Sequence, residues 1–310
     1  RFENLKNVLD GETDDEKKRH LEKRDIRDQG EEVKTNELYR LHVSHCVLLS
    51  DIMMVTKHGD EHKQKLYLSF LKYLALMLLP GCIPPENDEL FMHLAYSHSL
   101  MSTCISRRVG AVVVSQENKP LGAGWNNVVG KEVGCGLKNK NEHLAEMINS
   151  GLENGDGVNF SSKWGNSDYI CPKDVYLDHI RSKNGFVKNA SEERGDNLKV
   201  KGFEFCRAIH AEHNTILQAT SLSGSLKDCI LYTTTYPCEL CTRVIIDSGI
   251  KTVIFTEPYP NLTSKLEEGS VVAKPFEGVT SYGYFKLFKN NIDKKDQVKI
   301  ENMIQPSESE

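Results

Sequence analysis

The sequence predicts an α/β protein built on a layered sheet, and three observations point there. From residue 210 to 256 helical and strand-like segments alternate: a helix over 210–220, a strand over 229–234, a helix over 238–248 and a strand over 252–256. Upstream, the β-branched run 109–114 and the stretch 120–125 flank the polar turn Gln116-Glu117-Asn118, as a strand pair would. The composition, 39% hydrophobic and 27% charged over 310 residues, is that of a globular chain and excludes collagen-like, coiled-coil or wholly disordered classes.

The remaining elements follow in order. Residues 1–60 read as a charged helical segment ending in a more apolar piece, 46–55, of helix or strand character. A helical pattern over 61–79 stops at Pro80-Gly81. Its apolar part, 67–79, carries Lys72 and is shorter than the roughly 20 residues that span a bilayer, so it reads as a buried helix. Pro84-Pro85-Glu86 opens a second helix running to about residue 103, because proline and the acids Glu86, Asp88 and Glu89 suit a helix amino end. Between about 130 and 205 the chain turns polar, rich in Asn, Gly, Ser and Lys. A structureless loop of that length is unusual inside a domain, so we expect an insertion with helix over 141–150 and 173–181. Residues 291–310 read as a flexible tail, which leaves 61–290 as the main domain.

Charge and thiols narrow the class. Thirty-nine Lys and Arg against 44 Asp and Glu give a net charge of -5, which offers no bulk attraction to phosphate backbones and argues against general nucleic-acid binding. No apolar signal core follows Arg1, so a cytoplasmic protein without a membrane partner is expected, and the missing initiator methionine points to a natural beginning further upstream. Nine cysteines in such a chain favour metal ligation or buried thiols over a disulfide framework.

Two segments carry the chemistry: His210-Ala211-Glu212, and Pro237-Cys238-Glu239-Leu240-Cys241. The first places an imidazole and a carboxylate at the start of one helix; the second places two thiols one turn apart at the start of another. Three soft donors with a carboxylate nearby suit a zinc site with one position left open, the arrangement that does chemistry, whereas a structural site closes with four protein ligands. Zinc lowers the pKa of bound water to about 7 in favourable sites, and helix amino ends favour thiolates. A carboxylate beside that water can move its proton to a ring nitrogen, which is what hydrolytic deamination of an amidine-like carbon needs. The other outcome is a zinc staple with a fourth ligand elsewhere, or an inactive descendant.

His-x-Glu followed by Pro-Cys-x-x-Cys is the signature of the zinc nucleobase deaminases, and the sequence resembles their deoxycytidylate deaminase branch. Ser102-Thr103-Cys104 before Arg107-Arg108-Val109-Gly110-Ala111-Val112, the turn Gly124-Trp125-Asn126, and His210-Ala211-Glu212-His213-Asn214 carry the likeness. Glu257-Pro258-Tyr259-Pro260, Pro275-Phe276-Glu277-Gly278-Val279 with Tyr284, and a charged preface ending Ser50-Asp51-Ile52 are similar to two-domain bacterial antiphage deaminases of deoxycytidine nucleotides. In those a P-loop kinase-like part precedes the deaminase. Residues 1–60 would then match the end of a truncated kinase-like domain, although no Gly-x4-Gly-Lys-Ser/Thr occurs in the chain.

The resemblance implies a three-layer α/β/α cytidine-deaminase-like fold with a central mixed sheet, and zinc held by His210, Cys238 and Cys241 with Glu212 as proton shuttle. It implies action on dCTP or dCMP that drains the deoxycytidine pool in antiphage defence. A homo-oligomer, with a hexamer as the expected size, and a regulatory nucleotide such as dTTP also follow from it. Ala211 and Asn214 come with the motif as substrate contacts.

Other residues keep two readings each. Arg107, or its neighbour Arg108, suits a phosphate because a guanidinium grips oxygens with a fork, or forms a solvated pair at a strand start. Asn126 can satisfy a sugar 3'-hydroxyl, or simply make a turn before Asn127. Tyr259 borders the base, or packs in a loop. Cys135, Cys171 and Cys206, with His143 and His179 near two of them, hold a second, structural zinc, or are free buried thiols. Beside the free-nucleotide enzyme stand a tRNA or single-stranded DNA base deaminase, which would want a basic channel with exposed aromatics, and a non-catalytic scaffold, in which Glu212 would have no use.

Overall fold

The computed structural model describes residues 43–55, 60–130, 132–149, 168–175, 206–258 and 271–290, with Leu266 and a few isolated positions besides. The chain divides into two compact units, Arg1–His93 with Pro275–Glu310, and Leu94–Lys274.

In the second unit a five-stranded sheet has the order β3-β2-β6-β7-β8, formed by β2 (Gly110–Val114), β3 (Pro120–Trp125), β6 (Ile230–Thr235), β7 (Thr252–Glu257) and β8 (Val272–Pro275). Strand β2 runs antiparallel to both β3 and β6, while β6 and β7 are parallel, so the sheet is mixed. A strand paired on both edges and covered on both faces has no solvent side. All five residues of β2, Gly-Ala-Val-Val-Val, are accordingly buried.

The two faces of β2 receive different helices. On one, Ala111 and Val113 share a core with Ala211, Ile216 and Ala219 of helix α5 (Ala211–Ser223) and with Cys241 and Ile245 of helix α6 (Glu239–Asp247). Helix α5 can lie against the sheet because the register pairs Ala111 with Gly124 and Val113 with Gly122. A β-carbon at Gly124 would stand 2.7 Å from Thr215 Oγ1, and one at Gly122 would stand 2.8 Å from the Ala219 nitrogen. On the opposite face a β-carbon at Gly110 would meet the Ala95 carbonyl at 1.9 Å, so the end of helix α3 (Asn87–Ser99) sits directly on the strand. Helix, sheet and helix make the three layers expected from the sequence.

The polar insertion contributes a 3-10 turn at Cys135–Leu137, helix α4 (Lys140–Asn149) and a helical turn over 172–175, and its remainder lies outside the described residues. A two-stranded ladder of β4 (Asn127–Val128) with β5 (Ala208–Ile209) closes its base. Nothing local in the sequence marks that ladder.

In the first unit helix α1 (Val43–Leu48) leads to β1 (Ile52–Met53), which pairs antiparallel with β9 (Gly278–Val279). Helix α2 (Asp60–Leu78) and helix α7 (Tyr284–Phe288) meet in a small core of Tyr73, Leu76, Val279 and Leu287. Glu89 is buried there with three partners: the Lys72 amine at 3.1 Å, the Glu86 N–H at 2.8 Å and the Val279 N–H at 3.0 Å. A buried carboxylate met by one cation and two backbone donors is fully satisfied.

Two expectations need correction. Helix α3 ends at Ser99 and not near 103, because the N–H groups of Leu100, Met101 and Ser102 fold back on the carbonyls three residues earlier, and the Ser102 hydroxyl is taken by Asn126. The segment 67–79 is helical but is not buried: Tyr73 and Leu76 face the core, while Tyr67, Phe70 and Leu78 are exposed. An apolar run all round a helix reveals the helix without revealing which face is covered. Among the described residues no helix is long and apolar enough to cross a membrane. The tail and most of residues 1–60 fall outside the described residues.

Candidate metal and catalytic centre

The site forms where two helices begin. Strand β5 ends at Ile209, and His210 is the amino cap of α5 with extended backbone angles, φ -73° and ψ 152°. Strand β6 delivers the chain through Tyr236-Pro237 to Cys238, the amino cap of α6, also extended at φ -70° and ψ 171°. Neither cap side chain accepts a backbone N–H of its own helix. Both are therefore turned to other work. Cys241 lies one turn into α6 on the same face as Cys238.

Three donor atoms converge. His210 Nδ1 lies 3.2 Å from Cys241 Sγ and 3.4 Å from Cys238 Sγ, and the two sulfurs are 3.6 Å apart. A tetrahedral zinc with bonds of about 2.3 Å to sulfur and about 2.0 Å to nitrogen would set these edges at roughly 3.8 Å and 3.6 Å. The observed triangle is slightly contracted and accepts the ion with small side-chain shifts. Among the described residues this is the one group of three His, Cys, Asp or Glu side chains drawn so close together.

The electrostatics suit a cation. Cys238 is drawn down to about 4, first by the hydrogen bond from the Cys241 thiol and then by the imidazole, with burial opposing. Cys241 is pushed well up because it is the donor of that pair and is buried. A divalent ion between them removes that asymmetry by taking both as thiolates. The Cys238 sulfur, accepting from the imidazole, raises His210, against the effect of burial. Glu212, in the first turn of α5, is 4% exposed, and burial raises its carboxyl above the ordinary carboxylate range. Both helix amino ends add positive potential where thiolates and carboxylate gather.

The other expected contacts fall as follows. Asn126 is buried, and its Oδ1 accepts from the Val109 N–H at 2.7 Å and the Ser102 hydroxyl at 2.8 Å, while Nδ2 donates to the Arg107 carbonyl at 2.8 Å. Most of its amide thus serves the loop itself. Asn214 Nδ2 donates to the Trp125 carbonyl at 3.1 Å, and its Oδ1 accepts from Gln218. Ala211 is fully buried behind the centre, its carbonyl accepting from Thr215 at 2.7 Å. Arg107 Nη1 lies 3.3 Å from the carboxylate of Glu257 at the end of β7. Tyr259 lies outside the described residues.

Two partners were not legible as site residues. Ser102 orients Asn126, and Glu257 meets Arg107, joining residues 150 positions apart that only the sheet brings together. Cys135 lies within electrostatic reach of Cys104 and of Cys206, and Cys171 lies within reach of Cys104. Their donors do not converge on a second metal position among the described residues, and His179 falls outside those residues. His143 instead directs Nε2 to the Cys135 carbonyl at 3.0 Å.

A mixed sheet between helices, carrying one imidazole, two thiols and a buried carboxylate at two helix amino ends, defines the class of zinc-site nucleobase deaminase folds. The family model of the cytidine and deoxycytidylate deaminase zinc-binding region matches residues 85–257, more than half of the chain, and the chain belongs to that family.

Curated relatives agree. The ComE operon protein 2 of Bacillus subtilis is 38% identical over 74 residues, covering 23% of this chain and 39% of its own length. The deoxycytidylate deaminase of Saccharomyces cerevisiae is 24% identical over 196 residues, 63% of this chain and 44% of the yeast protein. That of Mycobacterium phage D29 is 26% identical over 171 residues, 55% and 94%. The chain thus spans less than half the length of the first two. Among solved structures, a dCMP deaminase from cyanophage S-TIM5 in complex with dCMP and dUMP is 21% identical, covering 63% of this chain and 99% of that one at a TM-score of 0.38.

Proposed function

We propose that this protein is a zinc-dependent hydrolase that deaminates free deoxycytidine nucleotides, converting dCMP or dCTP and water to the uracil nucleotide and ammonia. The observation that carries the proposal is Glu212: a buried carboxyl, with its proton affinity raised, beside three converging metal donors. A purely structural zinc site has no use for such a group.

His210, Cys238 and Cys241 would hold the ion. Zinc bound there supplies an acidified water at neutral pH. Glu212 would accept a proton from the attacking water and deliver it to N3 of the cytosine ring, making C4 electrophilic as the water oxygen bonds to it. It would then carry a second proton to the departing amine, so that the C4–N bond breaks as the C4–O bond becomes a carbonyl. Glu212, in the first turn of α5, is buried within electrostatic reach of His210 and hydrogen-bonding reach of Cys241, which keeps its carboxyl beside the metal donors. Arg107 would meet the phosphate in exchange for Glu257, and the remaining Nδ2 hydrogen of Asn126 would meet the sugar.

We take the domain over 61–290 as the deaminase, acting in the cytoplasm as a homo-oligomer. Its resemblance to antiphage enzymes supports pool depletion during infection and control by a nucleotide such as dTTP. The net charge of -5 favours free nucleotides over polynucleotides. The deciding experiment offers the zinc-loaded protein dCMP, dCTP, CTP, deoxycytidine and a cytosine-containing oligonucleotide side by side, reading ammonia and product by chromatography. Conversion of dCMP or dCTP alone is expected. Conversion of the oligonucleotide alone, or of nothing with zinc bound, overturns the proposal.

A further inference from the structure

Glu257 closes β7, and its two carboxylate oxygens have different partners. Oε1 lies 3.3 Å from Arg107 Nη1, while Oε2 accepts from the Thr235 hydroxyl at 3.3 Å. Its backbone is fixed as well: the parallel register pairs it with Thr235, and its carbonyl accepts from the Tyr236 N–H at 2.8 Å. The carboxylate therefore has a hold on the sheet that does not depend on the guanidinium.

These three residues stand next to the metal donors. Strands β6 and β7 run parallel and end here, and ligands of such sheets bind beyond the carboxyl ends of the strands. Cys238 follows Thr235 by three residues. Strand β2 pairs Ala111 with Thr233, and the Gly110 N–H reaches Thr234 Oγ1 at 3.2 Å. Continued outward, the same antiparallel register sets Arg107 level with Pro237, the residue before Cys238. The side chains of Arg107 and Glu257 are 33% and 26% exposed, so an anion from solvent can reach them without the sheet opening.

A phosphate that takes the guanidinium frees only Oε1. Thr235 keeps Oε2, so one full negative charge stays beside the incoming anion. Its repulsion grows with the charge of that anion, and a triphosphate carries about two more negative charges than a monophosphate. A carboxylate held in that place opposes a polyphosphate chain far more than a single phosphate.

We propose that Glu257, anchored by Thr235, sets the phosphate count of the substrate and selects the deoxycytidine monophosphate over the triphosphate. This rests on the deaminase reading and on Arg107 meeting the phosphate, and it names which nucleotide that reading takes.

Steady-state kinetics on the zinc-loaded full chain, wild type against Glu257→Gln, with dCMP, dCTP and deoxycytidine as substrates, tests it. Glutamine keeps the size of the side chain and can still accept from Thr235, but it carries no charge. The wild type is expected to show the higher kcat/KM on dCMP. The variant is expected to raise the dCTP-to-dCMP ratio of kcat/KM roughly ten-fold or more, because one charge has been removed from beside two. Deoxycytidine turnover should stay unchanged, and the shift should shrink as salt is added. Calorimetric titration with the products dUMP and dUTP reads the same preference without turnover, and the same change of ratio is expected there. A wild type that prefers dCTP overturns the assignment, as does a variant whose ratios match those of the wild type. An equal loss on all three substrates overturns it too and leaves Glu257 a structural role. A protein that converts none of them fails the deaminase reading, while the dUMP and dUTP affinities still decide the role of Glu257.

Discussion

Asn126 Oδ1 accepts the backbone N–H of Val109 at 2.7 Å, tying the turn after β3 to the residue just before β2. The same oxygen takes the Ser102 hydroxyl, and Nδ2 holds the Arg107 carbonyl, so one side chain closes three strands of polypeptide around the sheet end. Asn126→Ala leaves buried donors unmet. A loss of about 1–3 kcal/mol in urea unfolding is expected, together with lower activity. A variant as stable as wild type would mean water replaces the amide.

Glu212→Gln should keep the fold and the metal, since the side chain is isosteric and lies beside the donors without being one of the three. The turnover number should fall by about a hundred-fold or more, the usual worth of a positioned acid–base group. Product chromatography with elemental analysis on the same sample checks it. Appreciable turnover would remove Glu212 from the proposed role.

Cys238→Ser should lose zinc, because a hydroxyl at the cap of α6 cannot supply the thiolate that the site draws down to about 4. Both cysteines also belong to the main core, so metal loss should lower the thermal midpoint by several degrees, and chelation of the wild type should do the same. Retained zinc at full occupancy would mean the ion is held elsewhere.

Arg107 and Glu257 pair at 3.3 Å with both side chains about a quarter to a third exposed. Such a pair contributes roughly 0–1 kcal/mol, so Arg107→Ala should barely move the unfolding midpoint. If the guanidinium exchanges Glu257 for phosphate, KM for dCMP should rise about tenfold or more while deoxycytidine turnover is unchanged. An equal loss on both substrates would leave Arg107 a structural role only.

Gly124→Ala puts a methyl 2.7 Å from Thr215 Oγ1 and 2.9 Å from the Thr215 nitrogen. Helix α5 must lift from β3, carrying His210 and Glu212 with it. A loss of about 1–3 kcal/mol is expected in chemical unfolding, with reduced zinc occupancy alongside. Unchanged zinc affinity would show that α5 moves without disturbing its amino end.

Chain-local signals settled much by themselves. His210, Glu212, Cys238 and Cys241 were legible because they fall in two short motifs at helix starts, and the strand–helix alternation around them marks where those helices begin. The main strands β2, β6 and β7 were legible from β-branched runs, and β3 from its place after the polar turn Gln116-Glu117-Asn118. The rest was decided in three dimensions. The ladders β4–β5 and β1–β9 join short pieces far apart in sequence, and two-residue strands carry no periodicity to detect. The Arg107–Glu257 contact depends on which strands are neighbours, and the work of Asn126 depends on where Ser102 and Val109 come to rest. The exposed face of α2 depends on what packs beside it, since hydrophobicity selects burial somewhere but only tertiary contact chooses the side.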